Sequence, residues 1–369
     1  MDDRSADLTL AATAPAKGAS VTVVVPVYNT EPYLPDCLDS LISQTYANVQ
    51  IIVVDDCSPG ECSKIVRSYQ ERFANIEYIR HKENRGLLCA RLTGVRNASS
   101  EYIAFLDSDD TAKSHFIERL VTVAEATGAD IVNSAVKEKQ SSEFSLAGSE
   151  AIIAALCSRQ IPNIAAWTKL FRRTLFEKTP ELMEFGQREH IVRSEDRVLT
   201  TSLCRGAEFF VQISDILVDY NTTRQDSSTN DMNISHLQKE MLDMQKIAVY
   251  FRGILAKDVY RIILSQMMNI YNVKIRHLDE RGRELILDQL ASGPAATDVM
   301  PMLVKAVDDY LAEVLKKNQR LKSQLDTLNL EVEKINNRIR QIEASWLWRA
   351  TRPLRWLQKR LSAIPIRRS

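Results

Sequence analysis

The chain has 369 residues, of which 48 are basic and 48 acidic, so its formal net charge is zero. That length holds one large core or two modest ones, and the neutral balance gives no case from bulk charge for a nucleic-acid binder. Its six cysteines show no CxxC pair and no zinc spacing, so they read as buried thiols of a reducing compartment rather than metal ligands.

Residues 1–19 are acidic at first, then small and polar; they are expected to be disordered and do not have the pattern of a signal peptide. Val21 to Val25 is a continuous β-branched run closed by Pro26, which predicts a strand buried on both faces. Within residues 31–46, Leu34, Leu38, Leu41 and Ile42 recur at helical spacing. A second buried strand over Val49 to Val54 ends in Asp55-Asp56-Cys57-Ser58-Pro59-Gly60. A helix over 61–73, a strand at 76–80 and a helix over 86–98 then lead to the apolar segment Tyr102 to Leu106. A helix over 114–127 and a strand near 130–134 continue the alternation. Strands alternating with helices predict an α/β fold with a parallel, doubly wound sheet, whose ligands bind beyond the carboxyl ends of the strands.

From about 141 to 230 the pattern is mixed, with short helices and an isolated strand at 209–213. Beyond 231 strand signals vanish, and residues 235–290 read as two or three helices broken at Gly293-Pro294. A last long helix carries Leu311, Asn318, Leu325, Val332, Ile339 and Trp346 seven apart, with Val314, Leu321, Leu328, Ile335 and Ile342 interleaved three residues after the first five. That heptad pattern predicts a coiled coil, with Asn318 as a buried polar position that sets register. The expected organisation is a disordered 1–19, an α/β domain over 20–230, a helical domain over 231–310, a coiled coil over 311–346 and a basic tail over 347–369.

Asp107, Asp109 and Asp110 fall within four residues of the end of the strand at Tyr102 to Leu106. Carboxylates gathered beside a buried strand need a positive partner, and a divalent cation with oxygen ligands that also holds phosphates is one such partner. The alternative is a solvated loop or a helix N-cap at Asp109 or Asp110.

The order of motifs resembles the family 2 glycosyltransferases, which have a GT-A fold, a Rossmann-like architecture for nucleotide-diphospho-sugars. The residues that carry the resemblance are Pro26-Val-Tyr28-Asn29, Ser40-Leu-Ile-Ser-Gln44-Thr-Tyr46, Val53-Val-Asp55-Asp56-Cys-Ser58, Asn84-Arg-Gly86 and Asp107-Ser-Asp109-Asp110. A looser likeness continues through Trp167-Thr-Lys169-Leu-Phe171, Ser194-Glu195-Asp196 and Tyr220 to Ser228.

The resemblance implies an inverting transferase of the hexosyl or N-acetylhexosaminyl type, with UDP as the expected donor nucleotide. Pro26, Tyr28, Asn29, Asp55, Asp56, Asn84, Gly86, Asp107 and Arg224 would bind the donor. Either Asp55 or Asp56, with Asp56 preferred, would accept the imino N–H of the base; capping of the next helix is the other reading of Asp55. Asp107 contacts ribose or metal, and Asp109 ligates Mg2+ or Mn2+. Asp110 is a second ligand or a helix cap, the cap being preferred. Asp196 is the base for the acceptor hydroxyl, with Glu195 orienting it or binding acceptor; acids complementing the helix dipole are the competing reading. Trp167 and Lys169 line the acceptor side or, for Trp167, pack in the core. Where family members often carry a histidine soon after the arginine, this chain has Gln225-Asp226 after Arg224.

The tail interleaves Trp346, Trp348, Leu354, Trp356, Leu357, Leu361 and Ile364 with seven basic residues and no acid. Apolar anchors beside a basic face describe an interfacial helix on anionic lipid; packing on the protein's own surface is the plainer alternative. No apolar run approaches the roughly 18–20 residues that span a bilayer. The combined expectation is a cytoplasmic enzyme, peripheral at the inner face of the membrane and oligomeric through its coiled coil. Its acceptor would be a cell-surface glycan or lipid-linked saccharide. The alternative is a non-catalytic nucleotide-binding subunit of a glycan-synthesis assembly. An oxidoreductase is opposed by the lack of G-x-G-x-x-G after the first strand.

Overall fold

The computed structural model describes residues 18–137, 141–222 and 234–276, with isolated positions between 286 and 340. The chain forms two compact units, Met1–Met302 and Leu303–Ser369. Within the first, β1 (Val21–Val27), α1 (Leu34–Ile42), β2 (Val49–Asp55), α2 (Cys62–Gln70), β3 (Ile76–Arg80), α3 (Leu87–Asn97) and β4 (Tyr102–Phe105) alternate as their apolar patterns predict. A two-residue strand β5 (Thr111–Ala112) precedes α4 (Phe116–Thr127), β6 (Ile131–Ala135), β7 (Phe144–Ala147) and α5 (Ser149–Ser158). Then come β8 (Lys169–Arg172), α6 (Thr174–Glu177), α7 (Pro180–Arg188), α8 (Glu195–Gly206), β9 (Phe209–Ile216) and β10 (Val218–Asp219). Helices α9 (Ile234–Ile254) and α10 (Lys257–Arg276) follow.

The main sheet has the order β3-β2-β1-β4-β8-β6-β9-β7. Its first four strands are parallel, but β8 runs against both β4 and β6, and β7 runs against β9. The sheet is therefore mixed, which corrects the expectation of a purely parallel one. A reversed strand needs no crossover helix, and β8 enters from a loop between β4 and β6. Nor is the strand at 209–213 isolated: β9 is longer and lies between β6 and β7.

Alternate residues of the central strands face opposite layers. Val21, Val23, Val25, Ile51 and Val53 join Leu34, Leu38 and Leu41 of α1, Val66 of α2 and Leu120 of α4 in one core. Each such fully buried aliphatic side chain contributes about 1.5–3 kcal/mol. On the other face a Cβ at Gly94 of α3 would lie 2.3 Å from Val24 Cγ1; glycine lets this helix sit directly on β1.

Pro26 does not close the first strand, as expected, but lies inside it. Odd-numbered residues of β1 bond to β2, as in Val21 N–H to Asn48 O and Asp56 N–H to Val27 O. Even-numbered ones face β4, where Leu106 N–H reaches Val24 O at 3.2 Å. Pro26 thus lacks its N–H on the β4 side only. Pairing with β4 ends there, and the chain departs toward Asp107.

Helices α9 and α10 lie against this body: the rings of Phe185 and Tyr250 are 4.4 Å apart, Ser202 Oγ and Tyr250 Oη 2.9 Å, and Arg197 donates to Gln266 Oε1 at 3.0 Å. No helix among the described residues is long and apolar enough to cross a membrane. Most of the expected coiled coil, the tail, Arg224 and residues 1–17 lie outside the described residues. Of the coiled-coil span, positions 323, 327, 330–334, 337 and 340 are helical and exposed.

Candidate active site

The carboxyl ends of β1, β2 and β4 open onto a cavity of about 430 Å3. Pro26, Val27, Tyr28, Thr30 and Asp56 line one part, Asp107, Ser108 and Asp109 another. Trp167, Val192 to Asp196 and Tyr220 line the part facing them. The Trp167 and Tyr220 rings stack 5.8 Å apart with 10° between their planes. Trp167 both packs against the main core and lines this cavity.

The residues expected at the nucleotide end separate into two groups. Asp55 is fully buried and does not line the cavity. Its Oδ2 accepts from Tyr78 Oη at 2.7 Å and Arg80 Nη1 at 2.8 Å, and its Oδ1 from Ser58 N–H at 2.7 Å. It does not cap α2, whose N-cap is Glu61. Asp56 does line the cavity and is held on both oxygens: Oδ1 by His81 Nδ1 at 2.7 Å and Arg85 N–H at 2.8 Å, Oδ2 by Gly86 N–H at 2.8 Å.

Asn84 and Gly86 are not among the residues that line the cavity; Gly86 donates to Asp56, and Asn84 bonds Gly86. Asn84 Oδ1 lies 2.9 Å from His190 Nε2 and accepts from Gly86 N–H at 3.2 Å. Asn29 adopts φ +56°, and its N–H points to Ser58 Oγ at 3.2 Å. Gly86 has φ +89°, and a Cβ there would meet Ile191 O at 2.7 Å. Gly86→Ala is therefore expected to lose about 1–3 kcal/mol from backbone strain, plus the cost of the clash. It should also loosen the cradle of Asp56. Thermal unfolding and UDP titration check this; a wild-type midpoint with wild-type UDP affinity would contradict it.

At the other end one side chain organises the acids. Arg91 of α3 is fully buried. Its Nη2 donates to Asp107 Oδ1 at 2.7 Å, and its Nη1 to Glu195 Oε1 at 3.0 Å and Asp196 Oδ1 at 2.8 Å. Residues from the β4 end and the start of α8, distant in sequence, are thereby gathered on one guanidinium. Burial works against the Arg91 charge, but Asp107, Asp196 and Glu195 together hold the group above its ordinary pKa. The sequence reading missed Arg91. A signal was present, since an arginine in a helix buried nearly all round, between Ala90 and Leu92, requires carboxylate partners.

One cation facing three carboxylates leaves an excess of negative charge. Burial and the neighbouring Asp196 push Glu195 up to about 8, and burial raises Asp196, with Arg91 opposing. A folded-state pKa above the unfolded value means that the folded protein binds more protons between about 4.5 and 8, so ionising Glu195 costs stability as pH rises through that window. Relative to wild type, Glu195→Gln is thus expected to show little difference near pH 5 and to be the more stable protein near pH 9. Paired thermal melts across pH check the sign; a relative stability falling with pH would contradict it.

Asp196 Oδ1 also accepts from Ala166 N–H at 3.1 Å. Its Oδ2 makes no hydrogen bond to the described residues, and the side chain is 24 % exposed. Ser194, just before this acid pair, has φ +59°. The preceding turn is held by α9, where Asp243 Oδ2 accepts from Val192 N–H at 3.0 Å and Arg193 N–H at 3.1 Å. Glu240 pairs with Arg193 at 3.2 Å. Strain at a site surrounded by fixed partners is a mark of function.

Asp110 corrects another expectation. It caps no helix, because β5 follows it and the N-cap of α4 is His115. Its Oδ1 accepts from Asn221 N–H at 2.8 Å, while burial and then Asp107 push it up to about 8.

A family model described as Glycosyl transferase family 2 matches residues 22–185. The chain is 32% identical over 246 residues to the uncharacterized glycosyltransferase EpsJ of Bacillus subtilis, covering 62% of this chain and 69% of that one. It is 36% identical over 175 residues to the glycosyltransferase GlyA of Streptococcus pneumoniae, 43% of this chain but only 25% of GlyA's length. A crystal structure of S. aureus TarS in complex with UDP-GlcNAc superposes with TM-score 0.57 at 20% identity, over 78% of this chain and 87% of that one. That likeness shows the shared GT-A-type fold.

Proposed function

The chain belongs to glycosyl transferase family 2, and we propose that it transfers a sugar from a nucleotide-diphospho-sugar to a hydroxyl, with inversion, using Asp196 as the base. The observation that carries this reading is the convergence of Asp56, Asp107, Asp109 and Asp196 on one cavity, with Arg91 tying Asp196 to Asp107. Asp56 and the Pro26–Tyr28 backbone take the nucleoside end. The acceptor enters past Trp167 and Tyr220, and Asp196 Oδ2 takes its proton. Arg91 and the Ala166 amide hold Asp196 in place. Attack from the face opposite the leaving diphosphate inverts the anomeric carbon.

Asp107 and Asp109 fit Mg2+ or Mn2+ by their donor chemistry. Among the described residues no cluster of three His, Cys, Asp or Glu groups could hold an ion alone. Mg2+ nevertheless sits on one or two carboxylates plus substrate phosphates, and the local surplus of negative charge favours a cation. When bound, it neutralises the departing diphosphate as a Lewis acid. EDTA is thus expected to reduce nucleoside-diphosphate release by at least about a hundredfold, restored by Mn2+ or Mg2+. Release that ignores the chelator would remove the metal from the account.

UDP is the nucleotide we favour, by the family resemblance and the UDP-GlcNAc complex of TarS. The family resemblance and the basic, apolar-anchored tail support a cell-surface glycan or lipid-linked acceptor at an anionic membrane, and the heptads of residues 311–346 support self-association.

A further inference from the structure

Lys169 opens β8 with its side chain fully buried, and the mechanism above leaves it unused. Its Nζ lies 2.8 Å from Ala165 O, 3.0 Å from Asn163 Oδ1, 3.2 Å from Asn163 O and 3.1 Å from Thr168 Oγ1. All four are neutral oxygens from one loop, residues 163–168. No carboxylate among the described residues lies within ion-pair distance of this amine. A buried ammonium without an ionic partner is costly; burial pulls Lys169 down to about 7, against the pull of Cys204 and Asp196. A methionine of similar length would pack there without that cost. The four converging oxygens need a donor, and an ammonium with three N–H groups supplies one.

What this loop carries explains why its shape matters. Ile164 and Trp167 line the cavity. The Ala166 N–H donates to Asp196 Oδ1. Ile164 O accepts from Thr200 Oγ1 at 2.7 Å, four residues beyond Asp196 on α8. Thr168 Oγ1 lies 2.8 Å from Asn133 Oδ1 on β6, anchoring the loop's far end to the sheet. The loop thus spans from the sheet to the acid pair, and Lys169 is the group that gathers its turns.

We propose that Lys169 is a positioning residue: its ammonium folds loop 163–168 around itself and so fixes the Ala166 amide against Asp196, holding that carboxylate for the acceptor proton. This rests on Asp196 being the base. Asp196 is faced by Arg91 of α3, Asp107 after β4, Lys169 of β8 and its neighbour Glu195. Lys169 in turn is faced by Cys204 of α8 and by Asp196. Among these, Lys169 is a cation that lowers the pKa of Asp196 without touching it.

The test uses the full chain with Mn2+ and three variants, Lys169→Met, Asn163→Ala and Asp196→Asn. UDP affinity is read by calorimetry. Nucleoside-diphosphate release is followed against pH, with the UDP- or GDP-sugar that wild type hydrolyses fastest. Lys169→Met is expected to keep UDP affinity and lower turnover at least about tenfold, as a small misplacement of a reacting group does. Its acid limb should move to higher pH because Asp196 loses a facing cation. Asn163→Ala removes one oxygen of the nest but no charge; turnover should fall about three- to tenfold with the limb in place.

Lys169→Met with wild-type turnover, or with reduced turnover and an unmoved limb, overturns the positioning role. If Lys169→Met no longer binds UDP, Asn163→Ala decides, and wild-type turnover there overturns the proposal. Either result leaves the base assignment standing as long as Asp196→Asn is inactive. A wild type that releases nucleoside diphosphate from no donor, or an active Asp196→Asn, overturns the underlying reading instead.

Discussion

Arg91→Met is expected to unfold with a midpoint on the order of 10 °C below wild type at neutral pH, and to have no measurable transfer activity. The guanidinium is fully buried and is the cation shared by Asp107, Glu195 and Asp196. Removing one partner of a buried ionic cluster leaves the others uncompensated and costs about 3–5 kcal/mol, a large share of the roughly 5–15 kcal/mol that keeps a domain folded. The deficit should shrink as pH falls, because protonating the three carboxylates removes the repulsion that Arg91 now balances. Arg91→Lys should recover part of the stability but little of the activity. A point charge cannot present two parallel N–H groups to acids on separate elements. Thermal melts between acid and neutral pH decide the matter. A midpoint like that of wild type, or a deficit that grows toward acid pH, would show that the cluster is not held in this way.

The half of the fold built from β1 to β4 was legible because strands buried on both faces are continuous apolar runs and the intervening helices keep a 3.6-residue period. The strand at Ile76–Arg80 and the helix over residues 87–97 fall where those patterns put them. The reversed β8 was not legible as a strand. It is four residues long, begins with a buried lysine, and shows no alternation from which a face could be read. The half-exposed β7 is equally short.

Carboxylates could be read as a cluster because they follow an apolar strand. Which of them face the cavity depends on neighbours that no local pattern reveals. Asp55 and Asp56 are adjacent and chemically alike, yet Arg80 and Tyr78 draw the first into the frame, while the amides of Arg85 and Gly86 hold the second at the cavity. Asp110 looked like a cap because a helix follows soon after, but two residues of strand intervene. Arg91 and Lys169 belong to the same class. Each is a basic residue in an apolar segment, and its meaning appears only when the chain returns with oxygens to meet it.

Asp196→Asn is the second large effect. The amide keeps the shape of the carboxylate, and its oxygen can still accept from Arg91 and Ala166. It cannot take a proton at the position of Oδ2, so turnover should fall by about 10²–10⁴, the usual worth of a positioned general base. Removing one of three like charges around Arg91 should meanwhile leave the thermal midpoint equal to or above that of wild type, and should relieve the upward pressure on Glu195. Donor affinity should be unchanged, since Asp56, Asp107 and Asp109 are untouched. In the wild type, activity should vanish on the acid side at a pH above the ordinary carboxylate range, because burial raises Asp196 and only its ionised form can act.

The most direct test of the account is therefore one paired measurement on wild type and Asp196→Asn: UDP affinity with Mn2+, and nucleoside-diphosphate release from the preferred sugar nucleotide. The account predicts equal affinity and a loss of turnover of at least about a hundredfold. Turnover by the asparagine variant at the wild-type rate, with the same affinity, would contradict it.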